Sequence, residues 1–231
     1  MKVGILKEIK VLENRVCMVP SGVATMIANG HEVVVETMAG AGAGFPDAEY
    51  LAAGATIAAT PADVFGACDM VMHVKEPQPS EYDLIREGQI VFTYLHLAAD
   101  LPQTEALVKA KSVNIAYETI EKADGSLPLL VPMSEVAGRM AAQEGAKYLE
   151  MPEGGRGILL GGGRGVTHAT DVVIGGGVVG INAAKMAAGL GAQVYILDSN
   201  LERLAYLDDV MPANVFPVMS NPAILREYVI K

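Results

Sequence analysis

Short apolar runs rich in β-branched residues alternate along the chain with alanine-rich segments of helical length. Apolar runs of strand length, bounded by glycine, proline or polar residues, are typical of buried strands. In the first half the predicted strands are Val3–Leu6, Glu32–Glu36, Met70–Val74, Ile90–Leu95 and Val113–Tyr117. The predicted helices are Ser21–Asn29 (with Ser21 as its capping residue), Asp47–Ala53, Pro61–Cys68, Ser80–Arg86 and Pro102–Lys111. Strands that alternate with helices predict a parallel sheet covered by helices on both faces.

The second half repeats this alternation after a long helix and a glycine-rich loop. The predicted elements are helix Ser134–Leu149 with Ser134 as N-cap, strand Val172–Ile174, helix Val178–Leu190, strand Gln193–Leu197, helix Leu201–Leu207, strand Val215–Met219 and helix Pro222–Glu227. We therefore predict an α/β protein with two Rossmann-like, doubly wound parallel-sheet domains, at residues 1–130 and 131–231. A complete dinucleotide-binding sheet has about six strands, so the second domain is expected to be incomplete at its C-terminus.

Composition narrows the classes of function. The chain has 231 residues, 51% of them hydrophobic, and a net charge of -10. This acidic balance disfavours nucleic acid as a partner, although a local cluster of Arg and Lys could still bind a small anion. The segment Met1–Glu8 is charged too early for a signal peptide, and no apolar run reaches membrane-spanning length. Cys17 and Cys68 have no disulfide-framework or metal-ligand spacing. We therefore expect a cytoplasmic protein without a metal site.

The segment Gly175–Gly180 has the pattern G-x-G-x-x-G between a predicted strand and a predicted helix. Gly175 would allow the tight turn, Gly177 would let the backbone approach a pyrophosphate, and Gly180 would let the helix pack closely on the strand. The amides at the start of the helix then face the anion. Asp198 ends the next strand, at a distance typical of the acid that binds the ribose hydroxyls and repels a 2′-phosphate. The motif therefore predicts NAD, in preference to NADP.

Three polar residues follow strands of the first half. Arg15 lies in the loop after the first strand, Lys75 follows Met70–Val74, and His96 follows Ile90–Leu95. Ligands of open parallel sheets bind at the carboxyl ends of strands, so these side chains are expected to form one site. Arg15 could clamp a carboxylate, Lys75 could add a charge or polarise a keto oxygen, and His96 could exchange a proton. Each could instead be an ordinary surface or structural residue. The remaining histidines, at positions 31, 73 and 168, are interpreted as structural.

These segments together resemble the alanine dehydrogenases and the related NAD-binding subunit of proton-translocating transhydrogenase. The resemblance rests on the segments Met1–Lys10, Glu13–Val16, Val74–Pro77, Thr93–Ala98 and Pro132–Arg139, together with the glycine-rich turn and Asp198. It departs from the usual pattern at Gly163–Asp171. Members of the family are also longer, so the resemblance implies a truncated chain that lacks a second catalytic acid.

The resemblance implies the interconversion of L-alanine with pyruvate and ammonia, with hydride passing to NAD. Arg15 and Lys75 would bind the substrate and His96 would be the catalytic acid and base. The cofactor-binding residues would be Ser134, Gly175, Gly177, Val178, Val179, Gly180, Asp198, Arg203 and Ser220. A cytoplasmic homo-hexamer without nucleic-acid or membrane partners is expected. The alternatives are a transhydrogenase subunit and a fragment that binds NAD without turnover.

Overall fold

The computed structural model describes the backbone of residues 1–230 and the side chains of residues 1–229. The chain divides into two compact units, Met1–Leu127 and Pro128–Lys231, which we call the first and the second unit. This division falls close to the predicted domain boundary at residue 130. Each unit is built on a parallel sheet, so the predicted α/β fold class is confirmed.

The first unit contains a six-stranded parallel sheet in the order β3-β2-β1-β4-β5-β6. Its strands are β1 (Lys2–Ile5), β2 (Glu32–Glu36), β3 (Thr56–Ala58), β4 (Met70–Met72), β5 (Ile90–Thr93) and β6 (Val113–Ala116). The helices are α1 (Pro20–Ala28), α2 (Asp47–Ala52), α3 (Pro61–Ala67) and α4 (Leu101–Ala110). The direction of winding reverses between β1 and β4, which is where open α/β sheets form their binding crevice.

The sheet of the first unit is buried on both faces. Val33 and Val35 of β2 pack with Ile5, Val23 and Tyr50 on one side. Val34 lies between them in the sequence but belongs to a second core that contains Val64, Phe65, Val71 and Leu107. Successive side chains of a strand point to opposite faces, so an all-apolar strand supplies both cores.

The second unit begins with the long helix α5 (Val131–Tyr148) and contains a three-stranded parallel sheet in the order β7-β8-β9. The strands are β7 (Thr170–Ile174), β8 (Gln193–Asp198) and β9 (Val215–Met219), and the other helices are α6 (Val178–Gly189), α7 (Leu201–Val210) and α8 (Pro222–Ile230). Its core consists mainly of alanine, valine and leucine. Gly138 allows close packing of α5 on α6, because a Cβ there would lie 2.2 Å from the carbonyl oxygen of Val179.

Several local predictions were wrong. Ser80–Arg86 forms only a 3-10 turn at Tyr82–Leu84, since the segment between Pro79 and Gly88 is too short to stabilise a helix by itself. Strand β3 was missed because it has only three residues.

Neither predicted serine cap is a cap. Helix α1 begins at Pro20 after Val19, and α5 begins at Val131 after Leu130, with no side-chain cap in either case. In both helices a proline occupies the first turn, where its fixed φ and missing N–H favour a helix start without a serine.

Within residues 1–230, no helix combines the length and the apolar character needed to cross a membrane.

Candidate nucleotide and carboxylate sites

The glycine-rich turn of the second unit connects β7 to α6 and has the backbone shape that its motif predicts. Gly175 has φ 99°, in the left-handed region where residues with side chains are strained. A Cβ at Gly180 would lie 1.8 Å from the carbonyl oxygen of Gly175, so only glycine allows this helix to start so close to the strand. Gly177 is different, because a Cβ there would meet no atom within 4 Å. The turn therefore has one open face beside tightly packed glycines.

Helix α6 begins at this turn without a side-chain cap on Gly177. Its first amides and the positive end of its dipole are therefore available to an anion. Asp198, at the end of β8, accepts a hydrogen bond of 2.7 Å from the backbone N–H of Gly176 and one of 2.8 Å from that of Asn200. These hydrogen bonds, with that from Asn200 the stronger influence, hold the pKa of Asp198 below its ordinary value. The carboxylate is thus fixed and ionised beside the turn.

A cavity of about 710 Å³ lies along the turn. Six of the predicted cofactor-binding residues line it, namely Ser134, Gly175, Gly177, Val178, Val179 and Gly180. Its remaining wall is formed mainly by the alanine-rich side of α5 and by β7.

The remaining predicted cofactor-binding residues lie around Asp198. The backbone N–H of Ser220 donates a 2.8 Å hydrogen bond to the carbonyl oxygen of Asp198. Arg203 lies on α7, and its charge lowers the pKa of Asp198 less strongly than the backbone hydrogen bonds do. Its guanidinium lies 5.7 Å from the ring centre of Tyr206. The structure therefore places these residues at the carboxyl end of the β7-β8-β9 sheet, next to the turn.

In the first unit, Arg15, Lys75 and His96 follow three adjacent strands of the sheet. Arg15 lies after β1, Lys75 after β4 and His96 after β5, and the sheet order places β4 between the other two. Arg15 and Lys75 thus flank the position where the winding reverses. The topology brings the three predicted residues to one edge of the first unit.

The Arg15 guanidinium forms a two-pronged ion pair with Glu13. Its Nε lies 2.7 Å from one carboxylate oxygen of Glu13 and its Nη2 lies 2.6 Å from the other. The hydrogen bond from Arg15, helped by the charge of Lys75, lowers the pKa of Glu13 to about 2. Glu13 thus occupies the Nε–Nη2 edge of the guanidinium and fixes its plane.

His96 is held by its backbone and by its ring. Its φ of 50° is left-handed, and its N–H donates a 2.8 Å hydrogen bond to Glu118, whose carboxylate also binds the N–H of Leu95. The ring Nδ1 lies 3.3 Å from Glu76, which also forms an ion pair with Lys10. The imidazole remains half-exposed. Its position is therefore fixed while its surface stays accessible.

The sequence prediction missed the acidic residues that hold this site. Glu13 and Glu76 were detectable, because each lies beside a predicted site residue in the sequence. Glu118 was not, since it reaches the His96 loop only through the pairing of β5 with β6. Tyr94 was also missed, although its ring stacks on His96 with 6.2 Å between the ring centres. Burial raises the pKa of Tyr94, and the nearby charge of Arg15 partly opposes this rise.

A glycine-rich turn between strand and helix in one parallel α/β unit, together with a second parallel α/β unit with charged residues after its strands, defines a two-unit Rossmann-like protein. The family model "Alanine dehydrogenase/PNT, N-terminal domain" matches residues 4–137, and the model of the C-terminal domain matches residues 141–231. The chain therefore belongs to the alanine dehydrogenase/PNT family.

Individual relatives agree with this assignment. An alanine dehydrogenase of Methanococcus maripaludis is 55% identical over 96% of this chain, which spans 59% of that relative. A solved L-alanine dehydrogenase matches with a TM-score of 0.91 and 51% identity, over 99% of this chain and 63% of the other. A transhydrogenase of Sinorhizobium meliloti matches with a TM-score of 0.83 and 26% identity, over 100% of this chain and 67% of the other. The chain thus spans about 60% of the length of the alanine dehydrogenases that it matches.

Proposed function

We propose that this protein acts in the NAD-dependent oxidative deamination of L-alanine to pyruvate and ammonia, and in the reverse amination. The observation that carries the proposal is the placement of Arg15, Lys75 and His96 after three adjacent strands, at the winding reversal of the first unit. Two cations and one proton-transfer group suit a small substrate with a carboxylate and an adjacent amine or carbonyl group that gains or loses protons. The identity to proteins named alanine dehydrogenase supports alanine as that substrate.

Arg15 and Lys75 bind the substrate carboxylate in this proposal. A guanidinium can bind a carboxylate through two parallel hydrogen bonds, and Glu13 fixes the plane of the Arg15 guanidinium by such a pair. Lys75 adds a compact charge, and its backbone is held by a 2.8 Å hydrogen bond from the Thr93 hydroxyl to its carbonyl oxygen. An oriented cation pair discriminates carboxylates by position as well as by charge.

His96 moves the protons of the reaction in this proposal. Its ring is accessible, and Glu76 orients the Nδ1 side, which leaves Nε2 to face the substrate. A histidine held by a carboxylate on one nitrogen is a common form of general acid and base, because the partner fixes the ring and supports its charged form.

The second unit supplies the NAD site in this proposal. The open face of Gly177 and the uncapped start of α6 fit a pyrophosphate, and the fixed Asp198 carboxylate fits ribose hydroxyls. The same carboxylate disfavours the 2′-phosphate of NADP by charge repulsion. When bound, NAD supplies the acceptor of the hydride.

A transhydrogenase subunit is the second candidate, favoured by the fold match to the Sinorhizobium meliloti protein. The much higher identity to alanine dehydrogenases ranks it lower. The two functions differ in their second reactant, because a transhydrogenase subunit exchanges hydride with another nicotinamide nucleotide. Hydride exchange with an NADP(H)-loaded partner in the absence of alanine would reverse this ranking.

NADH formation from NAD and L-alanine tests the proposed function. We expect it to depend on L-alanine, to fall sharply with D-alanine, and to be lost in His96→Gln but retained in His31→Gln. If NAD binds to the protein but L-alanine produces no NADH, the proposed activity is wrong for this protein.

The cytoplasmic location and the hexameric assembly implied by the resemblance stay predictions. Light scattering after gel filtration checks the assembly. A mass six times that of the chain would support a hexamer, and any smaller mass would contradict it.

A further inference from the structure

Beneath the carboxylate site lies a buried bridge of three ionisable residues, Glu8, His73 and Glu81. His73 follows β4 and is 2% exposed. Its Nδ1 lies 3.2 Å from Glu8, and its Nε2 lies 3.0 Å from Glu81. Both carboxylates are themselves almost fully buried.

The partners of His73 determine the state of its ring. An ionised carboxylate only accepts hydrogen bonds, so a ring between two carboxylates must donate from both nitrogens. A neutral imidazole has one N–H, whereas the imidazolium has two. The imidazolium also compensates two buried negative charges, which are costly without a partner.

Other charged groups face the bridge. The carboxylate of Glu36, at the end of β2, is buried, accepts a hydrogen bond from the N–H of Lys7, and interacts electrostatically with Glu81 and His73. Burial alone would lower the pKa of His73, but the hydrogen bonds that its ring donates to Glu8 and Glu81, together with the charges of these carboxylates, outweigh it and raise this pKa to about 9. The ring is therefore charged at neutral pH.

The bridge connects directly to Lys75. The Glu8 oxygen that meets His73 also accepts the N–H of Val74 at 2.6 Å and that of Lys75 at 3.4 Å. The other end of the bridge holds the following loop, because Glu81 accepts a 2.8 Å hydrogen bond from the N–H of Gln78. The segment that carries Lys75 is thus fixed on both sides by carboxylates that share one imidazolium.

We propose that the Glu8–His73–Glu81 bridge is a positioning device for Lys75, with the doubly hydrogen-bonded His73 ring as its central link. It fixes the backbone from which the Lys75 ammonium reaches the substrate carboxylate. This inference rests on the proposed role of Lys75 in carboxylate binding. His73 is accordingly a positioning residue, and our interpretation of it as merely structural is replaced by a specific role.

The test combines Glu81→Gln with the matched control Glu32→Gln, which removes an exposed carboxylate of the same unit. Nitrogen-15 NMR of the histidine rings reports whether His73 carries two N–H groups. Amide hydrogen exchange reports the order of the Lys75 backbone, and titration with pyruvate reports carboxylate binding. Dispersed amide NMR signals of the first unit serve as the check that each variant is folded there.

In the parent protein we expect both ring nitrogens of His73 to carry a proton throughout the neutral pH range. Glu81→Gln is expected to give a neutral ring, faster exchange of the Lys75 amide by about tenfold, and pyruvate binding weaker by about tenfold. Glu32→Gln is expected to change none of these. A neutral His73 in the parent protein would overturn the charged link, and unchanged Lys75 exchange in Glu81→Gln would overturn the positioning role.

Failure of the proposed function is distinguishable from failure of this inference. If the parent protein does not bind pyruvate, the carboxylate site itself is wrong. The ring signals and the Lys75 exchange still decide whether the bridge orders that backbone. Restoration of the ring charge and of slow exchange in Glu81→Asp would further separate positioning from a general loss of stability.

Discussion

The candidate site of the second unit consists mainly of backbone groups, whereas that of the first unit consists mainly of charged side chains. In the second unit the candidate NAD site consists mainly of backbone, with glycines that permit the turn and one fixed carboxylate, Asp198. In the first unit the candidate carboxylate site consists of charged side chains held by other charged side chains, as in the pairs Arg15–Glu13 and His96–Glu76. The glycine-rich turn keeps its shape only if no side chain is added at its tightly packed positions. The charged site depends on the ion-pair partners that the fold places beside each side chain. Substitutions should therefore act differently in the two units.

The largest effect is expected for Gly180→Ala. The added Cβ would lie 1.8 Å from the carbonyl oxygen of Gly175, so the strand and helix must move apart. We expect a loss of roughly 3 kcal/mol of stability in the second unit, together with loss of NAD binding. Chemical denaturation and calorimetric titration with NAD measure the two effects.

Gly177→Ala is the matched control for this substitution. Its Cβ would meet no atom within 4 Å, so folding should be unaffected while the open face for the pyrophosphate is blocked. If Gly177→Ala binds NAD as tightly as the parent protein, the pyrophosphate does not lie on this face.

Arg15→Lys should have the next largest effect and should act only on the first unit. The substitution retains the charge but removes the two-pronged hydrogen bonding, so pyruvate binding should weaken by about 2 kcal/mol, roughly thirtyfold. NAD binding should not change. The exposed Arg226→Lys serves as control, and equal pyruvate affinity in both variants would show that the guanidinium fork is not used.

Asp198→Asn should alter cofactor choice by a smaller amount. The substitution removes the negative charge beside the ribose but keeps the size of the side chain. We expect the preference for NAD over NADP to fall by about tenfold, equivalent to about 1.4 kcal/mol. The ratio of the two dissociation constants measures this effect, with the exposed Asp209→Asn as control. An unchanged ratio would mean that Asp198 does not face the 2′ position.

The last effect concerns acid stability of the first unit. Glu13 has a pKa of about 2 in the folded protein, against an ordinary value of 4.5. Because the folded value is lower, the Arg15–Glu13 pair stabilises the fold above pH 4.5, and this contribution disappears as the pH falls towards 2. Urea midpoints across this range should fall more steeply in the parent protein than in Glu13→Gln. Parallel curves would contradict the lowered pKa of Glu13.

The same contrast explains what the sequence could predict. The tight turn at Gly175 and the close packing at Gly180 were predictable, because backbone shape is encoded locally. The strand ends at Arg15, Lys75 and His96 were predictable as candidates from the alternation of strands and helices. Two of the acidic residues were harder to predict. Glu118 reaches His96 through the order of the strands, and Glu81 reaches His73 from the start of a 3-10 turn. His73 was interpreted as structural because the predicted strand ran on to Val74, whereas β4 ends at Met72, directly before it.

A two-ligand NMR titration of the protein tests the central claim most directly, that the second unit binds NAD and the first unit binds the substrate carboxylate. NAD is predicted to shift the amide signals of Gly175–Gly180 and Asp198, and pyruvate is predicted to shift those of Arg15, Lys75 and His96. If pyruvate produces no shifts around Arg15, Lys75 and His96, or if NAD leaves the glycine-rich turn unchanged, the account is contradicted.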